Sequence, residues 1–202
     1  MENLFEAHQI LARLNGLVDK WHSEPVQETE MDPFLKIVET IQARNFELWH
    51  EEDKARDPHA SSDEIAKVKR TIDSLNQRRN DGMERADEWV LSTLQKRGIT
   101  AGQDAPLHSE TVGSMVDRLS ILALKVFHMR EEAERENADE DHRDRCAARL
   151  RILEEQQKDL ADCLAVLEKE LVRGERRFKV YRQMKMYNDP TLNPVLRKKD
   201  NP

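Results

Sequence analysis

The sequence predicts an all-α protein, an elongated antiparallel bundle of about five long helices with a basic C-terminal tail. Three observations lead to this prediction. Apolar residues recur at alternating steps of three and four along most of the 202-residue chain, which is the period of an α-helix. Only six glycines and seven prolines occur, mostly between the periodic segments, so the helices should be long. No segment alternates with the two-residue period of a strand.

Length and composition bound the domain organisation and the class of protein. We expect one helical domain over residues 1–187 and a proline-punctuated tail over 188–202. The formal net charge of −7 argues against general nucleic-acid binding. No apolar run is long enough for a membrane span and no signal peptide is evident, so a cytoplasmic protein is expected. Cys146 and Cys163 lie too far apart along one predicted helix to form a disulfide, which fits a reducing compartment.

The first two helices are marked by different signals. An apolar stripe from Leu4 to Trp21 predicts the first amphipathic helix. Asp32 as N-cap and Pro33 at the first helical position predict the start of the second. The second helix should end at Asp57-Pro58, because the residue before a proline disfavours helical backbone.

The third helix should begin at the capping box Ser61-x-x-Glu64 and end near Arg97-Gly98. Polar residues interrupt the apolar seams of the second and third helices. Asn45 and Glu52 fall on the seam of the second helix, and Arg79 falls on that of the third. Since buried polar groups cost free energy unless they are paired, we expect each to have a partner.

The remaining helices differ in how much apolar surface they carry. The fourth starts after Ser109 and has the widest apolar surface, so it should be the most buried. The charged run 131–141 predicts a helix end and a turn. The fifth follows a leucine heptad with Gln157 as a polar seam position, and it either continues past Gly174 or kinks there.

The end of the chain is basic. Between Arg173 and Lys199 it carries nine lysines or arginines against two acidic residues, with aromatic residues interleaved. Such a segment can contact nucleic acid, anionic lipid or a phosphorylated ligand. The acidic remainder of the chain favours another interpretation, a cationic segment that docks on its own protein.

One weak metal motif occurs on the second helix. Glu47 and His50 form an E-x-x-H, the spacing that aims two ligands inward in di-iron bundles. The D-x-x-H of Asp139 and His142 lies at an acidic turn, and the second glutamate of each half-site is missing. Glu47 and His50 are therefore candidate metal ligands, with exposed helix residues as the alternative.

The hairpin of the second and third helices carries the main candidate site. Its short loop should make the two helices antiparallel neighbours. Two interpretations remain open: a buried polar network that fixes helix register, or a pocket for a small polar or anionic ligand. In the pocket, Arg79, Lys69 or Arg70 would bind the charge and the amides would orient the ligand. The hairpin residues proposed for the site are Asn45, Glu52, Asp53, Arg56, Lys69, Arg70, Asp73, Asn76, Arg79, Asn80 and Glu84.

Four segments stand out together: N-F-E-L-W-H-E-E-D-K-A-R (45–56), K-R-T-I-D-S-L-N-Q-R-R-N-D (69–81), V-D-R-L-S-I-L-A-L-K (116–125) and Y-R-Q-M-K-M-Y-N-D-P-T-L-N-P (181–194). They resemble the DUF4254 family of uncharacterised bacterial proteins. The segment D-R-L-S-I-L is also similar to D-K-L-T-I-L segments of uncharacterised proteins associated with sugar and lipopolysaccharide genes. The resemblance implies a surface-glycan context and no particular reaction. It adds Trp49, Asp117, Arg118, Tyr181 and Lys185 to the candidate ligand-binding residues.

Three functions compete at this point. The leading hypothesis is a cytosolic binding or accessory protein of bacterial surface-glycan assembly, which holds a phosphorylated sugar, a nucleotide-sugar or a partner glycosyltransferase. The second is a hydrolase or transferase, metal-dependent or not, that uses Glu52, Asp53 and His50 as acid/base groups. The third is a structural homo-oligomer built on the leucine-rich fifth helix. No nucleophile elbow, P-loop or dinucleotide fingerprint occurs, and the sequence specifies no cofactor.

Overall fold

A computed structural model describes residues 3–184, 186 and 189–197. The described residues form five long helices and one short one: α1 (Ala7–Trp21), α2 (Pro33–Lys54), α3 (Ser62–Lys96), α4 (Val112–Glu134), α5 (Glu140–Val172) and α6 (Pro194–Arg197). Within these described ranges no strand forms, and an isolated bridge joins Leu107 to Arg177. The prediction of an all-α bundle of about five long helices is confirmed. None of the described helices combines the length and the hydropathy needed to cross a membrane.

Side-chain caps set the helix starts that the sequence marks. The Asp32 carboxylate accepts hydrogen bonds from the backbone N–H groups of Phe34 and Leu35 at 2.9 and 2.8 Å, as an N-cap should. The predicted capping box of Ser61 and Glu64 is present at the start of α3. The fourth helix begins slightly later than expected, because Thr111 rather than Ser109 caps it.

The helix α4 lies at the centre of the bundle and packs against α1, α2, α3 and α5. Its apolar residues Met115, Leu119 and Leu124 are at most 2% exposed, in agreement with its wide apolar surface. The start of α4 approaches α3 so closely that a Cβ added at Gly113 would lie 2.2 Å from the carbonyl oxygen of Met83. Glycine is therefore required at this contact.

A reciprocal amide pair joins α1 to α5. Asn15 and Gln157 exchange hydrogen bonds of 3.3 and 2.9 Å, and Gln157 is buried. Gln157 is the polar seam position expected from the heptad, and its partner Asn15 lies in α1. Because each amide donates to and accepts from the other, the pair satisfies both groups and fixes the register of the two helices.

The fifth helix ends at Val172 and does not continue past Gly174. Gly174 adopts a φ of +69°, the left-handed conformation that terminates helices. The following segment returns over the bundle. The backbone N–H of His108 donates a hydrogen bond of 2.7 Å to the backbone carbonyl of Arg177, and Phe178 is buried.

The basic residues of this segment lie against acidic residues of the bundle. Arg176 donates to Glu170 at 2.9 Å, and Arg182 donates to both Glu84 and Glu88. Within the described residues, these contacts agree with the interpretation that the basic segment docks on its own protein.

Candidate functional site

A cavity of about 290 Å³ lies between α2, α3 and α4. Amide, carboxylate and guanidinium groups share its wall with apolar side chains, which is the usual composition of small-molecule pockets. Its lining residues are Asn45, Leu48, Trp49, Glu52, Asp53, Arg56, Asn76, Arg79, Ile121 and Leu124. All of these except Leu48, Ile121 and Leu124 are residues that the sequence marked as candidates, so the fold brings a large part of the predicted set together.

Asn45, which lines the cavity, belongs to a hydrogen-bonded group that joins α2 to α4. The Asn45 amide donates to Asp117 Oδ1 at 2.8 Å and to Ser120 Oγ at 2.9 Å, and all three residues are buried. Burial raises the pKa of Asp117, while the charge of Arg79 and the Asn45 hydrogen bond oppose the rise. The hydrogen-bond partners of Asn45 are on α4, because the central helix packs against this face of α2, while Asn76 of α3 lines the same cavity as Asn45.

Arg79 lies half-buried in the wall opposite α2. Its Nε atom is 3.7 Å from Asp117 Oδ1, and that buried atom has no hydrogen bond to any residue that the structure describes. A guanidinium carries five N–H donors and no acceptor. The Nε donor of Arg79 therefore has no hydrogen-bond acceptor among the described residues, and Asp117 Oδ1 lies just beyond hydrogen-bond distance.

The mouth of the cavity is more exposed than the seam pattern suggested. Glu52 accepts a hydrogen bond from Arg56 at 2.8 Å, and its side chain is 45% exposed. Asp53 is exposed beside it. Glu52 has the partner that its seam position led us to expect, but this partner is Arg56, just past the C-terminus of α2, and the pair lies at the open mouth of the cavity.

Three candidates on the first half of α3 lie away from the cavity. Lys69 and Asp73 form an exposed pair at 3.0 Å, four residues apart on one helix face. Arg70 is exposed and does not line the cavity. The structure therefore does not gather Lys69, Arg70 and Asp73 into the site.

Another candidate, Arg118, lies away from this cavity. Arg118 is exposed, pairs with Glu110 at 2.5 Å and lines a separate groove of about 670 Å³ between α4 and α5. Lys185 falls outside the described residues.

Asn80, Glu84 and Tyr181 line a second, smaller cavity of about 190 Å³ beside the start of α4. Asp87 forms part of its wall and is buried, and it accepts a hydrogen bond of 2.7 Å from the Gly113 N–H. Burial raises the pKa of Asp87 to about 6, although this hydrogen bond and one from Thr111 lower it. The second cavity is thus a buried acidic site distinct from the first.

Three histidines meet on another side of α2, between α1 and α4. They are His22, His50 and His128, and one ring nitrogen of each lies within 4.8 Å of those of the other two. We refer to them as the histidine cluster. His50 was a candidate metal ligand, but its expected partner Glu47 pairs with Arg44 at 2.8 Å and is not in the cluster. His22 and His128 were missed, since no fixed sequence spacing links residues on three different helices.

The position of His50 separates it from the carboxylates proposed as its catalytic partners. Residues 50 and 52 differ by about 200° around a helix. His50 faces the histidine cluster, whereas Glu52 and Asp53 line the cavity. The acid/base set of His50, Glu52 and Asp53 is therefore not assembled at one point.

Comparison with known proteins identifies the chain at the level of a family. The family model described as "Protein of unknown function (DUF4254)" matches residues 35–180. No curated protein and no solved structure matches the chain significantly. The matched region spans α2 to α5 and includes the whole lining of the 290 Å³ cavity. The chain belongs to the DUF4254 family.

Proposed function

We propose that this protein binds one sugar unit carrying a phosphate in the cavity between α2, α3 and α4, as a cytoplasmic binding or accessory protein of surface-glycan assembly. The observation that carries the proposal is the state of Arg79. The Arg79 side chain lines the cavity, and although its Nε atom lies 3.7 Å from Asp117 Oδ1, that buried atom makes no hydrogen bond among the described residues. Buried donors are normally paired, so a ligand oxygen is the natural partner.

The polar groups of the wall suit hydroxyl groups as well as a phosphate. Asn76, Glu52 and Asp53 offer an amide and two carboxylates toward the cavity, and such groups orient a ligand by donating to or accepting from hydroxyls. The lining carries two arginines and two carboxylates, so it has no excess positive charge that would bind anions in general. A single phosphate would lie beside Arg79, with the sugar hydroxyls toward the carboxylates.

The size of the cavity favours the smallest of the expected ligands. A volume of about 290 Å³ lies at the lower end of the range for small-molecule pockets, which is about 300–1,000 Å³. A nucleotide-sugar would extend well beyond it. A monosaccharide phosphate matches the cavity better than either a nucleotide-sugar or a bare phosphate.

Isothermal titration calorimetry with a panel of hexose 1-phosphates, the matching free hexoses and inorganic phosphate tests the proposal. We expect at least one hexose 1-phosphate to bind with a stoichiometry of one, more tightly than its free hexose and than phosphate. Equal affinity for the hexose and for its phosphate would contradict the proposed contact between the phosphate and Arg79. Absence of binding across the panel would overturn the proposal.

Arg79→Gln is the diagnostic variant, and Arg78→Gln on the same helix is its matched control because Arg78 is exposed and does not line the cavity. Loss of one charge-assisted hydrogen bond should weaken binding of the sugar phosphate by about tenfold or more. The control should bind as the unmodified protein does. Circular dichroism and thermal melts of both variants separate loss of binding from loss of folding.

A further inference from the structure

We propose that the histidine cluster is a Zn²⁺ site in which His22, His50 and His128 supply three imidazole ligands. This site is independent of the sugar-phosphate proposal, because its ligands do not line the 290 Å³ cavity. The three residues come from α2, α4 and the end of α1, so the tertiary fold alone creates the cluster.

The hydrogen bonds of the three rings assign the tautomer that a metal requires. Each Nδ1 lies near an oxygen acceptor: the Val18 carbonyl at 2.7 Å from His22, the Phe46 carbonyl at 2.8 Å from His50, and the Glu131 carboxylate at 2.8 Å from His128. Since an oxygen acceptor requires a donor, each Nδ1 carries the hydrogen. The lone pair of each neutral ring is then on Nε2, which is free to coordinate a cation.

Two of these Nε2 atoms lack any other partner. The Nε2 atoms of His22 and His128 are buried and make no hydrogen bond within the part of the chain that the structure describes. A buried polar nitrogen without a partner costs free energy. If His22 and His128 served only as packed aromatic rings, this cost would arise at the Nε2 atom of each. A metal ion bound by both atoms removes it.

The surroundings have the features of a metal site beyond its ligands. Metal-bound histidines usually donate their other ring N–H to a carbonyl or a carboxylate, and all three rings do so. Phe46, Phe127 and Trp49 pack against the imidazoles and surround them with apolar rings.

The ligand set and its spacing indicate which cation fits. Three imidazoles with no thiolate and no carboxylate ligand suit Zn²⁺, which accepts three protein ligands and one further donor in a tetrahedron. A Zn–N bond of about 2.0–2.1 Å requires ligand nitrogens roughly 3.4 Å apart. One ring nitrogen of each histidine lies within 4.8 Å of those of the other two, so modest movements of the rings would bring three nitrogens to bonding distance of one ion.

Zinc binding by the tag-free, full-length protein tests the assignment. After removal of metals with a chelator, competition against a chromogenic zinc indicator should give one tightly bound equivalent at pH 7.5. Zinc should also raise the midpoint of thermal unfolding, because a ligand that binds only the folded state stabilises it. Failure to bind one equivalent, with folded protein shown by circular dichroism, would overturn the proposal.

Substitutions distinguish this site from incidental histidines. His50→Ala and His128→Gln should each weaken zinc binding at least tenfold and abolish the thermal shift. His59→Ala is the matched control, since His59 is exposed and outside the cluster, and it should leave binding unchanged. Unchanged affinity in both cluster variants would refute the assignment.

A substitution at Glu131 tests the site without removing any of its three histidine ligands. Glu131→Gln weakens the acceptor for the His128 N–H, and loss of such an outer partner typically costs 10- to 100-fold in metal affinity. Glu132→Gln is its control, because Glu132 pairs with His142 and Arg135. If the two glutamate variants bind zinc equally well, the hydrogen bond from His128 to Glu131 does not orient His128 as a metal ligand.

Discussion

The imidazole ring of His128 lies flat against the indole ring of Trp49, with ring centroids 4.8 Å apart and the planes inclined by 10°. Trp49 also lines the 290 Å³ cavity. One aromatic side chain of α2 therefore borders both the cavity and the histidine cluster.

This contact predicts that zinc changes the fluorescence of Trp49. A cation bound to His128 alters the electron density of the imidazole stacked on the indole, so emission should change in proportion to occupancy and saturate at one equivalent. Trp49→Phe should lose most of this response while it still binds zinc in the indicator assay. A full response in Trp49→Phe would show that Trp21 or Trp89 is the reporter and would contradict the prediction.

Asp87 predicts a specific dependence of stability on pH. Its pKa is about 6 in the folded protein against an ordinary value of 3.8, because the buried carboxylate is poorly solvated. The folded state thus holds this proton more tightly than the unfolded state does. The stabilisation that results is complete below about pH 3.8 and is lost as the pH rises through about 6, and its full size is roughly 3 kcal/mol.

Asp87→Asn measures this contribution. The amide oxygen can still accept the Gly113 N–H, but the side chain no longer titrates. In urea unfolding, the variant should gain stability relative to the unmodified protein between pH 4 and pH 7, by up to about 3 kcal/mol. Comparing the two proteins at each pH removes the contributions of groups that do not interact with Asp87, whereas Glu84 and Glu88 contribute through their repulsion of its charge. A difference in stability that does not vary with pH would contradict the prediction.

Two glycine-to-alanine changes should shift stability in opposite directions. At Gly113, a Cβ would meet the Met83 carbonyl oxygen at 2.2 Å, so α3 and α4 must separate, and we expect a loss of about 1–3 kcal/mol or more. At Gly16, within α1, a Cβ meets nothing within 4 Å, and alanine should stabilise the helix by up to about 1 kcal/mol. Urea denaturation midpoints measure both. Similar effects of the two changes would show that the close contact at Gly113 does not limit stability.

The helices and the hairpin face of the cavity were predictable because their signals are local. Asp32, Ser61 and Glu64 cap helices through residues at most three positions away. The α2–α3 hairpin places the second half of α2 beside the first half of α3, so Glu52, Asn76 and Arg79 could be assigned to one face from helical spacing alone.

The rest of the site depends on contacts between distant segments. Asn45 pairs with Asp117 72 positions away, and helical periodicity does not specify which helix packs on that face. Asp117 was found only through the family resemblance. The histidine cluster joins α1, α2 and α4, and nothing in the spacing of His22, His50 and His128 marks them as neighbours.

The helix α2 contributes Asn45 to one wall of the cavity and His50 to the histidine cluster, so any shift of this helix changes both places together. Thermodynamic linkage then constrains how the two proposed ligands influence each other. If zinc tightened the binding of a sugar phosphate about fivefold, the sugar phosphate would have to tighten the binding of zinc by the same factor. The occupancy of each site would then depend on the availability of both the metal ion and the sugar phosphate.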